Sequence, residues 1–333
     1  MANTLAEMAL LSGEELKPGI IETIIKESPV LFGLLPFKEI SGTAHAYNFE
    51  TEMAGAGYYA PGDVWVESTG KWEKRTTALT ILGGDADVDY FMKSTLSNKQ
   101  QIAAPVIAGK AKALAHAFEN SFLYGGTTVQ AQANEFQGVL QYIAECDTTG
   151  TATVDLDGLT NTQVFPMGAT STKLTLAALD ELIDRVKPGA PQCLMMSRRM
   201  RRLVNALARA AGSALIESHD EFGKFISYYN GIPIHVSDFI LDNVPNGNGA
   251  SVLTIASYDR TVARVADYDN SFILALQFGE EALIGLQSGG GIQTEYIGTL
   301  QDKDAERTRL KWYTGLCLES LTKCAVMINV IDA

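Results

Sequence analysis

Two stretches of strand-like alternation enclose a glycine-rich, aromatic segment that the chain has little means of burying, and this restricts the fold more than any total does. His45, Tyr47 and Phe49 alternate with Ala46, Asn48 and Glu50, and Thr77, Leu79 and Ile81 alternate with Ala78 and Thr80, the two-residue period of half-exposed strands. Between them runs Met53-Ala54-Gly55-Ala56-Gly57-Tyr58-Tyr59-Ala60-Pro61-Gly62, then Val64, Trp65, Val66 and Trp72. The pattern predicts a long hairpin from Ala44 to Leu82. On a lone molecule such a tip is an aggregation hazard, and it makes sense when a neighbouring copy covers it. Tyr58, Tyr59, Trp65 and Trp72 are therefore candidate intersubunit contacts.

Ahead of the hairpin, Thr4 to Leu11 and Pro18 to Glu27 give two short amphipathic helix signals, with Pro18 suited to a first helical position. The apolar stretch Ser28-Pro29-Val30-Leu31-Phe32-Gly33-Leu34-Leu35-Pro36-Phe37 follows, bracketed by prolines. It suits an extended arm laid on another subunit through Phe32 and Phe37, and equally an internal strand of the same chain.

Behind the hairpin, Asp85, Asp87 and Asp89 alternate along a further strand. At steps of roughly 6.6 to 6.8 Å they are too sparse for a cation without other ligands, which leaves a solvated or subunit-facing strand. Ile107, Ala111, Leu114, Phe118 and Phe122 then recur on one face of a helix,. From Pro105 to Tyr124 it would span on the order of 30 Å; a start near Asn98 would make Pro105 a kink. Gly125-Gly126 is the stop.

The middle of the chain alternates helix and strand signals. Helices are expected at Leu174 to Val186 and Arg198 to Ala211, and strands at Gln192 to Met196 and Val252 to Ser257,. Lys224 to Tyr229 and Ile232 to Ser237 form a hairpin across Asn230-Gly231, the strongest turn signal present,. These elements make a compact α+β domain from Phe136 to Gly289. Strands at Ile292 to Thr299, Thr308 to Leu318 and Ala325 to Ile331 close the chain, with a charged turn at Gln301 to Arg307.

Hydrophobic residues at 46% and charged residues at 20% of 333 describe a folded protein with a sizeable core,. A net charge of −13 argues against a domain that grips nucleic acid, since displacing phosphate counterions needs clustered Lys and Arg,. Cys146, Cys193, Cys317 and Cys324 form no CxxC pair and read as buried free thiols,. Neither a signal peptide nor a membrane span is expected, so the chain belongs in a cytosol-like compartment.

Motifs for catalysis are missing: no GxxxxGK[ST], GxSxG, HExxH or EF-hand loop occurs,. Gly55-Ala56-Gly57 and Gly289-Gly290-Gly291 lack a strand-to-helix context and read as turn or hinge glycines. His219, Asp220 and Glu221 suit a solvated loop. Arg198, Arg199, Arg201 and Arg202, the only dense basic run, cannot all share a helix face and suit pairing with acidic residues of a neighbouring subunit better than DNA,.

The order of parts resembles the major capsid proteins of tailed phages, the Hong Kong 97-type or Johnson fold. Glu27-Ser28-Pro29-Val30-Leu31 with Leu35-Pro36-Phe37, Lys110-Ala111-Lys112-Ala113-Leu114-Ala115 with Phe118-Glu119-Asn120, Asn134-Glu135-Phe136-Gln137-Gly138, and Leu316-Cys317-Leu318-Glu319 with Ala325-Val326-Met327-Ile328 look like segments of those proteins. The resemblance covers nearly the whole chain through the succession of these segments, none of which is specific by itself. It implies an α+β chain with an N-arm at 1–41, an E-loop hairpin at 42–84, a P-domain with a long spine helix at 85–135, an A-domain at 136–289, and closing strands at 290–333 shared by P-domain and A-domain.

What it implies functionally is a virion protein, assembled in the host cytoplasm, that builds pentamers and hexamers of an icosahedral shell around double-stranded DNA. Such a shell has no enzymatic role and needs no cofactor, metal or membrane; its partners are sister copies, a portal protein, a decoration protein in some shells, and packaged DNA held without sequence specificity. Because the chain begins almost directly with the arm, a separate scaffolding protein is implied. Hinges are expected at Gly83-Gly84 and at Pro105 as the shell expands. Some members crosslink E-loop to P-domain by a Lys–Asn isopeptide bond helped by a Glu. Here Lys71 and Lys74 are on offer, but Arg309-Leu310-Lys311 and Leu318 stand where the Asn and Glu would be wanted, so no crosslink is expected. An encapsulin-like nanocompartment around enzyme cargo is the nearest alternative, and a soluble α/β enzyme a remote one.

Overall fold

A computed structural model of the chain describes residues 33–96, 103–126, 134–146, 161–167, 172–212, 216–219, 225–242 and 270–331. The two N-terminal helix signals, Phe32, the strand expected at Val252 to Ser257, and Asp220 with Glu221 lie outside them.

The organising element is one that the sequence pattern did not single out. Strand β11, Ser271–Leu276, is buried at every position. Such a strand must be covered on both faces, because alternate side chains point opposite ways. Phe272, Leu274 and Leu276 enter one apolar cluster, and Ile273 and Ala275 enter another. Around β11 lie β5 (Val164–Pro166), β6 (Thr172–Lys173), β7 (Cys193–Met196), β8 (Ile216–His219), β9 (Phe225–Tyr229), β10 (Ile232–Val236) and β14 (Cys324–Ile331). They form an eight-stranded sheet in the order β5-β14-β11-β7-β10-β9-β8, with β6 also beside β14. The β9–β10 turn falls at Asn230-Gly231, both at positive φ (49° and 79°), as a tight hairpin requires.

One face of this sheet is covered by two amphipathic helices, Leu176–Arg185 and Arg198–Ala210. Each is N-capped by a hydroxyl: Thr175 accepts from the Ala178 amide at 3.2 Å and Ser197 from the Met200 amide at 3.3 Å, contacts typically worth about 1 kcal/mol each. Leu179, Leu182, Met200 and Val204 are buried beneath them.

The other face meets a long helix, Ala103–Tyr124, and the short helix Val139–Ala144 that follows it. Leu114, Phe118 and Phe122 of the expected stripe are buried. Phe118 stands 4.7 Å from the Trp312 ring and 5.4 Å from that of Phe136. The two helices approach closely where Gly138 donates to the Gly125 carbonyl at 2.7 Å; a Cβ on Gly138 would lie 2.6 Å from the Ser121 oxygen, so no larger residue fits. Pro105 is the third residue of the described helix, within the first turn where its missing N–H costs no internal bond. Residues 97–102, where an earlier helix start was expected, lie outside the described residues.

A second sheet, in the order β1-β12-β13-β4, leans on the same long helix. It comprises β1 (Phe37–Glu39), β4 (Thr80–Asp89), β12 (Leu283–Thr299) and β13 (Ala305–Leu318). Even-numbered residues of β13, such as Leu310 and Trp312, face the helix. Odd-numbered ones carry an ion-pair ladder: Arg307 binds Asp87 at 2.6 and 2.7 Å, Arg309 binds Asp85 at 2.7 and 2.9 Å, and Lys311 binds Glu295 at 2.7 Å. Asp85 and Asp87 are thus paired within the chain on a face still partly open to solvent, while Asp89 accepts from the Phe91 and Met92 amides. The arginine hydrogen bonds hold the Asp85 and Asp87 carboxyls below their usual range. Gly289, Gly290 and Gly291, all at positive φ, form an irregularity inside β12. Strands β4 and β12 run unbroken through positions 84/85 and 289/290, where boundaries between parts were expected.

The expected hairpin exists as β2 (Ala44–Glu52) paired with β3 (Lys71–Ala78), a two-stranded ribbon in neither sheet. The alternation through Thr77, Leu79 and Ile81 spans two strands, because the chain passes from β3 into β4 at Leu79.

Candidate intersubunit surfaces

The hairpin tip is exposed and carries a set of local contacts. Tyr59 and Trp65 stack with ring centroids 4.5 Å apart, and the Tyr59 hydroxyl accepts from the Val66 amide at 3.2 Å. Gly55 N–H donates to Ser68 Oγ at 2.8 Å, and Ala60 N–H to Asp63 Oδ2 at 2.6 Å. On this frame Tyr58 is 107% exposed, Trp65 78% and Trp72 71%, with Met53, Val64 and Val66 also open to solvent. So many large apolar groups on one ribbon form a patch of the kind that another molecule covers. Lys71 and Lys74 are exposed on the same ribbon.

The base of the ribbon is different. His45 and Tyr47 lie opposite Thr77 and Arg75, so the four side chains share one face, and that face meets the body. His45 Nε2 is 3.2 Å from Glu319 Oε1, the Tyr47 hydroxyl donates to the Leu318 carbonyl at 3.0 Å, Thr77 Oγ1 lies 3.4 Å from the Tyr142 hydroxyl, and Arg75 donates to Glu145 Oε2 at 3.4 Å. Glu145 also accepts from Gln137 at 3.1 Å. Burial pushes the Tyr47 and Tyr142 phenols up and raises the Glu145 carboxyl, against the pull of Arg75. Sequence reading missed this set because each partner lies 65 to 274 positions away. The available signal was the paired polar faces at His45/Tyr47 and Arg75/Thr77 below an apolar tip.

The other sequence-based candidates separate. Phe37 is half-buried and packs against the core of its own chain: its ring is 5.5 Å from Trp312 and 5.9 Å from Phe118, and its strand β1 pairs in parallel with Gly285–Gln287. For Phe37 the internal-strand alternative holds. Arg199 is only 4% exposed and donates to the Asp242 carbonyl at 3.2 Å, so it faces inward. Arg198 forms a two-bond pair with Asp238 at 2.6 and 2.8 Å within the chain. Arg201 is half-buried and Arg202 exposed. Gly83 and Gly84 sit mid-strand in β4 opposite Lys311 and Leu310; a Cβ on Gly83 would lie 2.9 Å from the Leu310 oxygen.

Three cysteines are buried and Cys146 is half-buried, all as free thiols. Burial pushes Cys146 and Cys324 up to about 12 and Cys317 to about 11, far from the range of reactive thiolates. Among the described residues no group of three or more His, Cys, Asp or Glu could hold a metal ion, and no helix is long and apolar enough to cross a membrane.

No protein-family description matches the chain, and no curated protein does. Solved structures do. The holo-SrpI encapsulin complex from Synechococcus elongatus PCC 7942 matches at TM-score 0.66 with 15% identity, over 100% of this chain and 98% of that one. The capsid of a native GTA particle matches at 0.62 with 12% identity, over 99% of both chains. A structure from Mycobacterium phage Ogopogo matches at 0.59 with 16% identity, over 98% and 99%. The likeness is one of fold: the chain has the α+β Hong Kong 97-type architecture.

Proposed function

We propose that this chain is a major capsid protein that self-assembles into pentamers and hexamers of an icosahedral shell enclosing double-stranded DNA. The observation that carries the reading is an ordered hairpin whose aromatics stand in solvent, on a chain whose whole length matches shell-forming proteins. A lone molecule keeps Tyr58, Trp65 and Trp72 wet. Covering a large aromatic side chain is worth roughly 1.5–3 kcal/mol, and repetition around closed rings offsets the rigid-body freedom each copy loses on association. The candidate intersubunit contacts are therefore the tip aromatics, and Arg202, which is exposed, stays a candidate for pairing with an acidic residue of a neighbouring copy. Phe32, which precedes the described residues, stays a candidate on its sequence alone.

In this reading the parts divide the work. The hairpin reaches a sister copy, the long helix and the sheet carrying the ion-pair ladder form a spine, the eight-stranded sheet with its two helices surrounds the capsomer axis, and the N-terminal arm crosses a neighbour. The role is structural and not catalytic. Scaffolding, portal and decoration proteins are its partners, DNA is enclosed without sequence reading, and the site of action is the virion after assembly in the host cytoplasm. Gly83-Gly84 and Pro105 are the positions where we place the flexing of the spine.

Electron microscopy of the full-length protein, expressed alone and with a candidate scaffold, tests the proposal. Closed shells are expected, and Trp65→Ala with Trp72→Ala should abolish them while the subunit stays folded; intact shells from the double variant would contradict it. The likeness to the Synechococcus encapsulin carries a second reading, a shell around protein cargo. Nuclease-protected DNA inside shells from the native source favours the first reading, and a co-purifying enzyme the second.

A further inference from the structure

The base of the hairpin is docked by polar groups where docked elements usually use apolar ones. Tyr47 and Leu79 make the apolar part of the contact, against Ile40, Ile284, Leu286 and Cys317. The rest is the shared polar face: the pair of His45 with Glu319 on one strand, that of Arg75 with Glu145 on the other, and the Tyr47 and Thr77 hydroxyls between them. Both contacts are partly open to water, with side-chain exposures of 16% and 19% in one and 29% and 23% in the other. Contacts of this kind trade with water at small net cost, so they hold a position without making it permanent. Their anchor points are firm. Glu319 follows β13 and also accepts from the Glu281 amide at 2.9 Å; Glu145 caps the short helix locked to the spine and is braced by Gln137.

We propose that these two contacts, the His45–Glu319 hydrogen bond and the Arg75–Glu145 ion pair, form a reversible latch that sets the angle at which the hairpin leaves the body. Anchored 274 and 70 positions away in sequence, they brace the ribbon from both strands. With both closed, the ribbon has one elevation; with either open, it pivots on the Thr43–Leu79 hydrogen bond, 2.9 Å long, where β3 gives way to β4. Because the tip carries its own contacts, Gly55 to Ser68 and Tyr59 to Val66, a change of angle at the base carries Trp65 with it. On the shell reading above, the latch thereby sets the curvature between neighbouring copies.

The test is amide hydrogen exchange of the full-length protein, followed by electron microscopy of its particles. Arg75→Glu should speed exchange in 44–50 and 71–78 by about three- to tenfold, with β11 and β14 unchanged. Arg75→Glu combined with Glu145→Arg should restore protection. His45→Gln should give a smaller effect of the same kind. Particles from Arg75→Glu should spread over several diameters and those from the charge-swapped variant return to one. Unchanged exchange in Arg75→Glu, or a swap that rescues nothing, overturns the latch. Exchange reports on the latch with or without particles, whereas an unmodified protein that never forms particles overturns the shell reading alone.

Discussion

The molecule carries two long antiparallel ribbons, and they are held in opposite ways. The β12–β13 ribbon lies against the spine helix through Leu310, Trp312 and Leu316, all buried, and crosses to β4 through the arginine–aspartate ladder. The β2–β3 ribbon belongs to neither sheet, keeps its large side chains in solvent, and touches the body mainly through four polar groups at its base. Burial fixes the first as frame. Polar contact leaves the second free to be completed elsewhere. The same secondary structure thus serves two ends, and what decides between them is where the apolar side chains find cover.

The sharpest way to break this contrast is to remove one tryptophan from each ribbon. Trp312, 3% exposed and packed on Phe118 and Phe37, should cost about 3–5 kcal/mol of unfolding free energy when changed to Ala,. Trp72→Ala should leave the denaturation midpoint unchanged. Equal effects in chemical denaturation would erase the distinction.

The ladder gives a smaller effect with a fixed sign. Asp85 and Asp87 have folded pKa values lowered first by hydrogen bonds from Arg309 and Arg307. A depressed carboxylate contributes stability above the ordinary value near ~4 that is lost as pH falls through the lowered value. Melting temperatures should therefore fall more steeply below about pH 4 in the unmodified protein than in Asp85→Asn/Asp87→Asn. Parallel curves would mean that the ladder adds nothing, as happens for some surface pairs.

Smallest of all, Tyr59→Phe removes the hydroxyl that accepts from the Val66 amide and keeps the stack on Trp65. It should speed exchange at the tip alone, with no change in global stability. A lowered melting temperature would show that the tip is tied to the body after all.

What was legible in the sequence was local periodicity. Leu114, Phe118 and Phe122 repeat at helical spacing and are buried; Asn230-Gly231 makes the turn that its chemistry demands. Strand β11 escaped because an all-apolar run has no period to read, although Phe272 to Leu276 turn out to separate two cores. Pairing between distant segments was beyond reach. Asp85 and Asp87 looked solvated until Arg309 and Arg307, more than 200 positions on, came to lie beside them. Phe37 and Arg199 show the opposite error, since a side chain that looks suited to a neighbour can be consumed by its own fold. The aromatic tip was legible because no segment of the chain offered it cover; its polar base was not, since His45 and Arg75 find Glu319 and Glu145 only in three dimensions.

Tryptophan quenching during assembly reads directly whether the tip aromatics become covered as particles form. The chain has three tryptophans, of which Trp65 and Trp72 are exposed and Trp312 is buried. As light scattering reports particle growth, acrylamide quenching should fall and emission shift to the blue in step with it, through Trp65 and Trp72. Particles that form with quenching unchanged, or a protein that stays monomeric at high concentration with both rings still wet, would contradict the account.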